Sequence, residues 1–269
     1  MRRWKSVTAS VALGAALLSV TFPQPSWSQA APDTVEMADM TWVAVRSAIE
    51  RGVTTAIVPS GGIEQNGPHM VLGKHDYIVQ AAANRIAKEL GNALVAPVVA
   101  YVPEGDTQPP TGNMLYPGTL GIPEPVFAQV LEGIARSLKN AGFTTIALIG
   151  DHGGNQAAQA LVAARLNREW AGQVKVLNVS DYYVDDAQMK FLRGKGETDA
   201  TIGSHAGLID TAELMSVHPE GVDLARLSAY ARKEAPGHSG DPARASAELG
   251  KALLDIRINA AIKQIKAAN

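Results

Sequence analysis

The stretch GGIEQNGPHMVLGKHDYIV, residues 61–79, places Glu64, Asn66, His69, His75 and Asp76 within one loop-like segment. His152 follows an apolar run directly, in GDHGGN, with Asp151 beside it. His205 opens SHAGLIDTAE, which also carries Asp210. Imidazole and carboxylate are the usual protein ligands of Zn²⁺ and related ions. The chain has no cysteine, which excludes thiolate sites, disulfides and a cysteine nucleophile. Glu64, His75, Asp76, His152 and Asp210 are therefore candidate metal ligands. Each alone has an ordinary reading. A histidine near a strand end is commonly a hydrogen-bonded structural group, Asp210 a helix cap or surface acid, and Asn66-Gly67 a turn. The remaining histidines, His218 and His238, read as structural or surface groups. Only a common meeting point would turn the candidates into a site.

The flanking elements supply one. Apolar runs at 53–58, 93–102, 144–149 and 174–179 read as strands, and residues 41–51, 77–90, 126–140, 156–170, 208–217 and 243–267 as helices. Gly142 stops the third helix, Asn155 and Asp241 stand where caps are expected, and Trp42 and Trp170 are expected to pack in helices. Alternating strands and helices imply a parallel sheet covered on both faces. Ligand sites in such sheets lie beyond the carboxyl ends of the strands, so the loops after the first and third strands are expected to meet. The segment 103–123, rich in Pro and Gly, reads as a long loop that shapes the pocket.

Composition narrows the partners. The 269-residue chain is 46% hydrophobic with a formal net charge of −2; this gives no reason to expect nucleic acid or an anionic membrane. Arg2, Arg3 and Lys5 precede an apolar, uncharged run at 7–20, and Ser28-Gln29-Ala30 offers a small-residue cut before Ala31. That layout is a secretory signal peptide, residues 1–30, and it predicts a periplasmic or secreted protein. The run is shorter than the ~20 apolar residues of a spanning helix, so no stable membrane insertion is expected after cleavage. Residues 31–269 read as one catalytic domain.

Five motifs together resemble the creatininase (creatinine amidohydrolase) family. They are PSGGIEQNGPHMVLGKHD, GNMLYPGTL, GDHGGNQ, SHAGLIDTAELM and GHSGDPARASAELG, in the family's order and spanning about residues 53–250. The resemblance implies an α/β fold, a three-layer α/β/α sandwich with a mainly parallel sheet, commonly homo-oligomeric. It implies one or two divalent ions (Zn, Mn or Fe) that activate water and polarise the carbonyl of a small amide. Glu64 falls on the family's first acidic ligand, His152 on its motif histidine and Asp210 on a ligand carboxylate. His205 and His69 fall on histidines near the substrate. The chain departs from the pattern at four places. Asn66 stands where the family has a histidine ligand, His75 where it has a bridging Asp with Asp76 one residue later, Leu208 where it has a Glu, and Asp151 where it has a Gly. Either Asp76 or His75 is thus the ligand from this loop.

The expected activity is hydrolysis of a cyclic amide, formamide or short peptide. Glu64 or Asp151 would take the proton from water, and His205 would steady the oxyanion or protonate the leaving nitrogen. The alternatives are a catalytically inactive exported protein that binds a small ligand on the same fold, and an enzyme of different chemistry such as a lactonase.

Overall fold

The computed structural model describes residues 34–184, 186–230 and 237–268; the expected signal peptide at 1–30 lies outside them. Four strands, β1 (Thr55–Ser60), β2 (Ala93–Val95), β3 (Thr145–Gly150) and β4 (Lys175–Asn178), form one sheet in the order β2-β1-β3-β4. All three pairings are parallel. Side chains alternate across a strand, and here the alternation divides the core. Ala56, Val58, Ile146 and Leu148 pack on one side with Phe127, Leu131, Val162 and Leu166. These belong to α3 (Glu124–Ala141) and α4 (Gln156–Trp170). Ile57, Ala147 and Ile149 face the other side, against Val79, Ile86, Leu254 and Ile258, from α2 (Lys74–Leu90) and the C-terminal α9 (Ala247–Ala268). Both central strands are buried throughout, as expected of a parallel sheet between helical layers. The fold is the expected α/β/α arrangement.

A short α1 (Trp42–Glu50) precedes β1. Between β4 and α9 run α5 (Asp186–Gly194), α6 (Asp199–Ile202), α7 (Leu208–Val217) and α8 (Ala225–Tyr230). Helix α7 lies directly on α9. A Cβ at Gly250 would come within 1.7 Å of the Ala212 carbonyl oxygen, so only glycine permits this approach.

Several sequence expectations are corrected. The second strand ends at Val95; beyond it Val99 and Val102 make single bridges to Ser60 and Gly121. Helix α2 begins at Lys74, three residues before its apolar periodicity does, which carries Lys74, His75 and Asp76 into its first turn. Asn155 does not cap α4, and Asp241 makes no side-chain cap either. Trp42 is 68% exposed, with Arg46 over its ring, whereas Trp170 is buried as expected. Among the described residues, no helix is long and apolar enough to cross a membrane.

Candidate metal centre

Strands β1 and β3 pair in register to their carboxyl ends, where Ser60 stands opposite Gly150. The chain therefore leaves both strands side by side, into the loop of Glu64 and the turn of His152. Asn155 ties these exits together. Its buried amide nitrogen lies 3.0 Å from Ser60 O, 3.1 Å from Ser60 Oγ and 3.0 Å from Gly61 O. That is why Asn155 is not free to cap α4.

Glu64 is wholly buried at the centre. Its Oε1 lies 2.7 Å from His75 Nε2 and its Oε2 3.2 Å from His152 Nε2. Ligand atoms of Glu64, His75 and His152 all fall within 4.8 Å of one another. Glu104 joins from the 103–123 loop, with Oε2 3.3 Å from the same His152 nitrogen. Asn113 bridges the two glutamates, donating to Glu64 Oε2 and, at 3.1 Å, to Glu104 Oε2. On the far side, His75 Nδ1 donates to Asp151 Oδ2 at 2.7 Å. Asp151 Oδ1 in turn accepts from the Tyr182 hydroxyl at 3.0 Å and pairs with Arg257 Nη2 at 2.7 Å. Arg257 also holds Glu213, at 2.8 Å.

The electrostatics follow from these contacts. Burial works to raise the Glu64 carboxyl, but His75, the His152 bond and Lys74 together hold it far below the usual range. Glu104 is pushed up to about 8, first by burial and then by the Glu64 charge. Burial opposes charge on His75, as does Lys74, yet Glu64 and Asp151 raise it to about 9. Burial likewise works against the Lys74 ammonium, which Asp210 and Glu64 hold above its ordinary pKa.

A cavity of about 540 Å³ opens onto this cluster, lined by Lys74, His75, Asp151, His152, Tyr183, His205 and Asp210 among others. His205 projects into it. Its Nε2 donates to the Gln65 carbonyl at 2.9 Å, and its Nδ1 lies 3.7 Å from Glu64 Oε1. The next residue, Ala206, takes a left-handed φ of 50°, a costly conformation outside glycine. Its N–H donates to Asp210 Oδ2 at 2.8 Å.

The structure thus brings Glu64, His75 and His152 together and sets His205 at their edge. The other expected site residues lie elsewhere. Successive residues of a helix differ in direction by about 100°, so His75 and Asp76 cannot face the same point. His75 turns inward, and Asp76 accepts from the Gly62 N–H at 3.1 Å. Asp210 pairs with Lys74 Nζ at 2.7 Å instead of joining the cluster. Asp151 has both oxygens engaged, so it orients His75 and is not placed as a base toward water. The Asn66 amide donates to Glu64 O at 2.9 Å and Val71 O at 3.1 Å, and shapes the loop. His69 is buried, with Nε2 3.0 Å from Thr211 Oγ1; burial and His238 lower its pKa to about 4. It pins the loop to α7.

Lys74, Glu104, Asn113 and Arg257 were not singled out from the sequence. Arg257 did leave a signal, because it interrupts the apolar stripe of Leu253, Leu254, Ile258 and Ala261 on α9. Glu104 is an acid inside the loop expected to shape the pocket. Lys74 left no signal, since lysine is rarely fully buried.

The donor set suits a divalent ion: two imidazoles and two carboxylates from four separate segments. Asp151 on His75 Nδ1 is the carboxylate that commonly orients a metal-binding imidazole. Glu104 Oε1 is buried with no hydrogen-bond partner, as a waiting ligand oxygen would be. Position 62 must be small for it, because a Cβ on Gly62 would lie 2.7 Å from that oxygen.

An α/β sheet that gathers such donors beyond its central strands defines a candidate metal centre of the parallel-sheet α/β class. The comparisons place it within that class. The family profile Creatininase, described as creatinine amidohydrolase, matches residues 38–265. A creatinine amidohydrolase of Pseudomonas putida is 25% identical over 244 residues, covering 83% of this chain and 93% of its own. A mycofactocin precursor peptide peptidase of Mycolicibacterium smegmatis is 28% identical over 238 residues, covering 80% and 85%. A crystal structure of creatinine amidohydrolase superposes with a TM-score of 0.71 at 25% identity, over 88% of this chain and 98% of that one. Two further creatininase structures, a Mn form and one of Zn–Zn type, give TM-scores of 0.71 and 0.69. The chain belongs to the creatininase family and is a metal-dependent amidohydrolase, acting on amide C–N bonds.

Proposed function

We propose that this chain hydrolyses the C–N bond of a small amide: a cyclic amide, a formamide or a short peptide. The observation that carries the reading is the convergence of Glu64, His75 and His152 on one point at the floor of a cavity. The cavity, about 540 Å³, is within the range of small-molecule sites. The named relatives act on creatinine and on a precursor peptide, which are two amides of very different size.

Glu64, His75, His152 and Glu104 would hold one divalent ion, Zn or Mn by the forms of the solved relatives. When bound, such an ion polarises a carbonyl and lowers the pKa of water. The chain's own groups do the rest. Asp151, fixed by Arg257 and Tyr182, holds the His75 Nδ1–H and so keeps Nε2 turned toward Glu64, where it would be available as a ligand. Asn113 holds the two glutamates in register. His205 is a third exposed and within 3.7 Å of Glu64, so it faces both the acidic ligand and the substrate space. From there it donates a proton to the departing nitrogen.

Assaying the purified protein on panels of cyclic amides, formamides, short peptides and lactones, with and without chelator, tests this reading. Chelator-sensitive release of amine from at least one amide is expected. Ligand binding without turnover would instead favour a binding protein, and turnover of lactones alone would favour an esterase-type enzyme.

We propose also that the protein is exported, on the basic start and apolar run of residues 1–20; N-terminal sequencing of the periplasmic form should begin near Ala31. Association of copies rests on the family resemblance, and light scattering on the full domain tests it.

A further inference from the structure

Lys74 is the least expected residue of the cavity wall. Its side chain is wholly buried, with Nζ 2.7 Å from Asp210 Oδ2 and 3.5 Å from Glu64 Oε1. A buried charge persists only when paired, and both partners here are carboxylates, of which Glu64 belongs to the metal-ligand cluster. Glu64 Oε1 is shared: the same oxygen lies 2.7 Å from His75 Nε2. The ammonium therefore stands one carboxylate oxygen away from the point where Glu64, His75 and His152 converge.

Two-ion hydrolase centres set their cations about 3.5–4 Å apart, bridged or flanked by carboxylates. Here a fixed positive charge already sits against the shared carboxylate and takes up Asp210, an acid of the cavity wall. A second divalent ion beside Glu64 would meet the buried Lys74 ammonium at close range, where like charges repel. A structure of a mutant creatininase is of Zn–Zn type, a two-ion form of the same fold. In this chain Asn66 and His75 already depart from the family's ligand pattern, and Lys74 adds a buried positive charge beside Glu64.

We propose that the Lys74 ammonium occupies the second cation position of the site, so that the protein binds one divalent ion per chain. The inference rests on the reading of Glu64, His75 and His152 as ligands of the first ion. It assigns Lys74 a positioning role: it neutralises Glu64 and Asp210 as an ion would, without offering an open coordination position. Its effect should therefore appear in stoichiometry before it appears in turnover.

The test is metal titration of the full domain, stripped of metal, with Zn²⁺ and separately with Mn²⁺. Native mass spectrometry would count ions per chain, and calorimetry would resolve binding events. Wild-type protein should take one ion. The Lys74→Ala variant opens the space and frees Asp210 as an oxygen donor, and it should show a second binding event. If Lys74→Ala does not fold, as judged by circular dichroism, Lys74→Ser takes its place. Two ions in the wild-type protein would overturn the proposal, and so would a single ion in both the wild type and a folded variant. No ion in any of these proteins would instead remove the metal reading on which the proposal rests.

Discussion

His75 Nδ1 and Asp151 Oδ2 stand 2.7 Å apart, deep in the protein, on an arm that ends at Arg257 and Tyr182. The bond decides which nitrogen of His75 faces Glu64. Asp151 is thus a positioning residue for a ligand, although it lines the cavity and is adjacent in sequence to His152.

Asp151→Asn should accordingly weaken metal binding and not abolish it. Loss of the carboxylate partner of a ligating imidazole typically costs about 10–100-fold in affinity. Competition with a fluorescent chelator would measure the shift. An affinity within about twofold of wild type would argue that His75 is held by other means.

The same carboxylate makes the metal-free protein acid-sensitive. Burial works to raise the Asp151 pKa, but Arg257 and the His75 bond hold it at about 2, below its ordinary 3.8. A depressed folded-state pKa contributes stability that is complete above the ordinary value and lost as pH falls through the folded one. The window here is about pH 4 down to pH 2, and the contribution is on the order of 2 kcal/mol. Thermal midpoints of wild type and Asp151→Asn should converge as pH falls through that window; parallel curves would exclude the contribution.

Asn155 joins the two loops through Ser60 and Gly61, and Asn155→Ala takes the side-chain donor from the buried Gly61 carbonyl, while Ser60 O keeps the Asp151 N–H and Ser60 Oγ the Gln159 amide. The expected cost is about 1–3 kcal/mol, read in urea unfolding. Metal affinity should fall as well, because Glu64 and His152 leave the sheet through the loops that Asn155 joins. A stability loss with unchanged metal affinity would separate the two loops energetically.

Gly250→Ala tests the close packing of α7 on α9. The added Cβ would meet the Ala212 carbonyl at 1.7 Å, and backbone cannot yield as a flexible side chain does. A loss of about 3 kcal/mol or more is expected. A neutral effect would mean that the two helices can separate without cost.

Much of this was legible in the sequence. The strand pattern and the parallel topology placed the ends of β1 and β3 together, and Glu64 and His152 came into the site with them; His205 came in through its motif's resemblance to the family. The choice between His75 and Asp76 was not legible. It depends on where α2 begins, and its first turn carries no apolar periodicity because Lys74 and His75 are buried for polar reasons. Asp210 was expected at the ion but is taken up by Lys74, a partner 136 residues away in the chain. Asn155 was expected to cap a helix, yet its amide meets a neighbouring strand end, a long-range contact that no local pattern encodes. Helix α6, at four residues, is too short for any periodicity and is marked only by the Thr198–Thr201 capping box.

The central claim is that Glu64, His75 and His152 hold the ion. Metal analysis of the purified full domain beside its His152→Ala variant tests it most directly. The account predicts a bound divalent ion in the wild-type protein and its loss in the variant, with both proteins folded. Full metal occupancy in folded His152→Ala would contradict it.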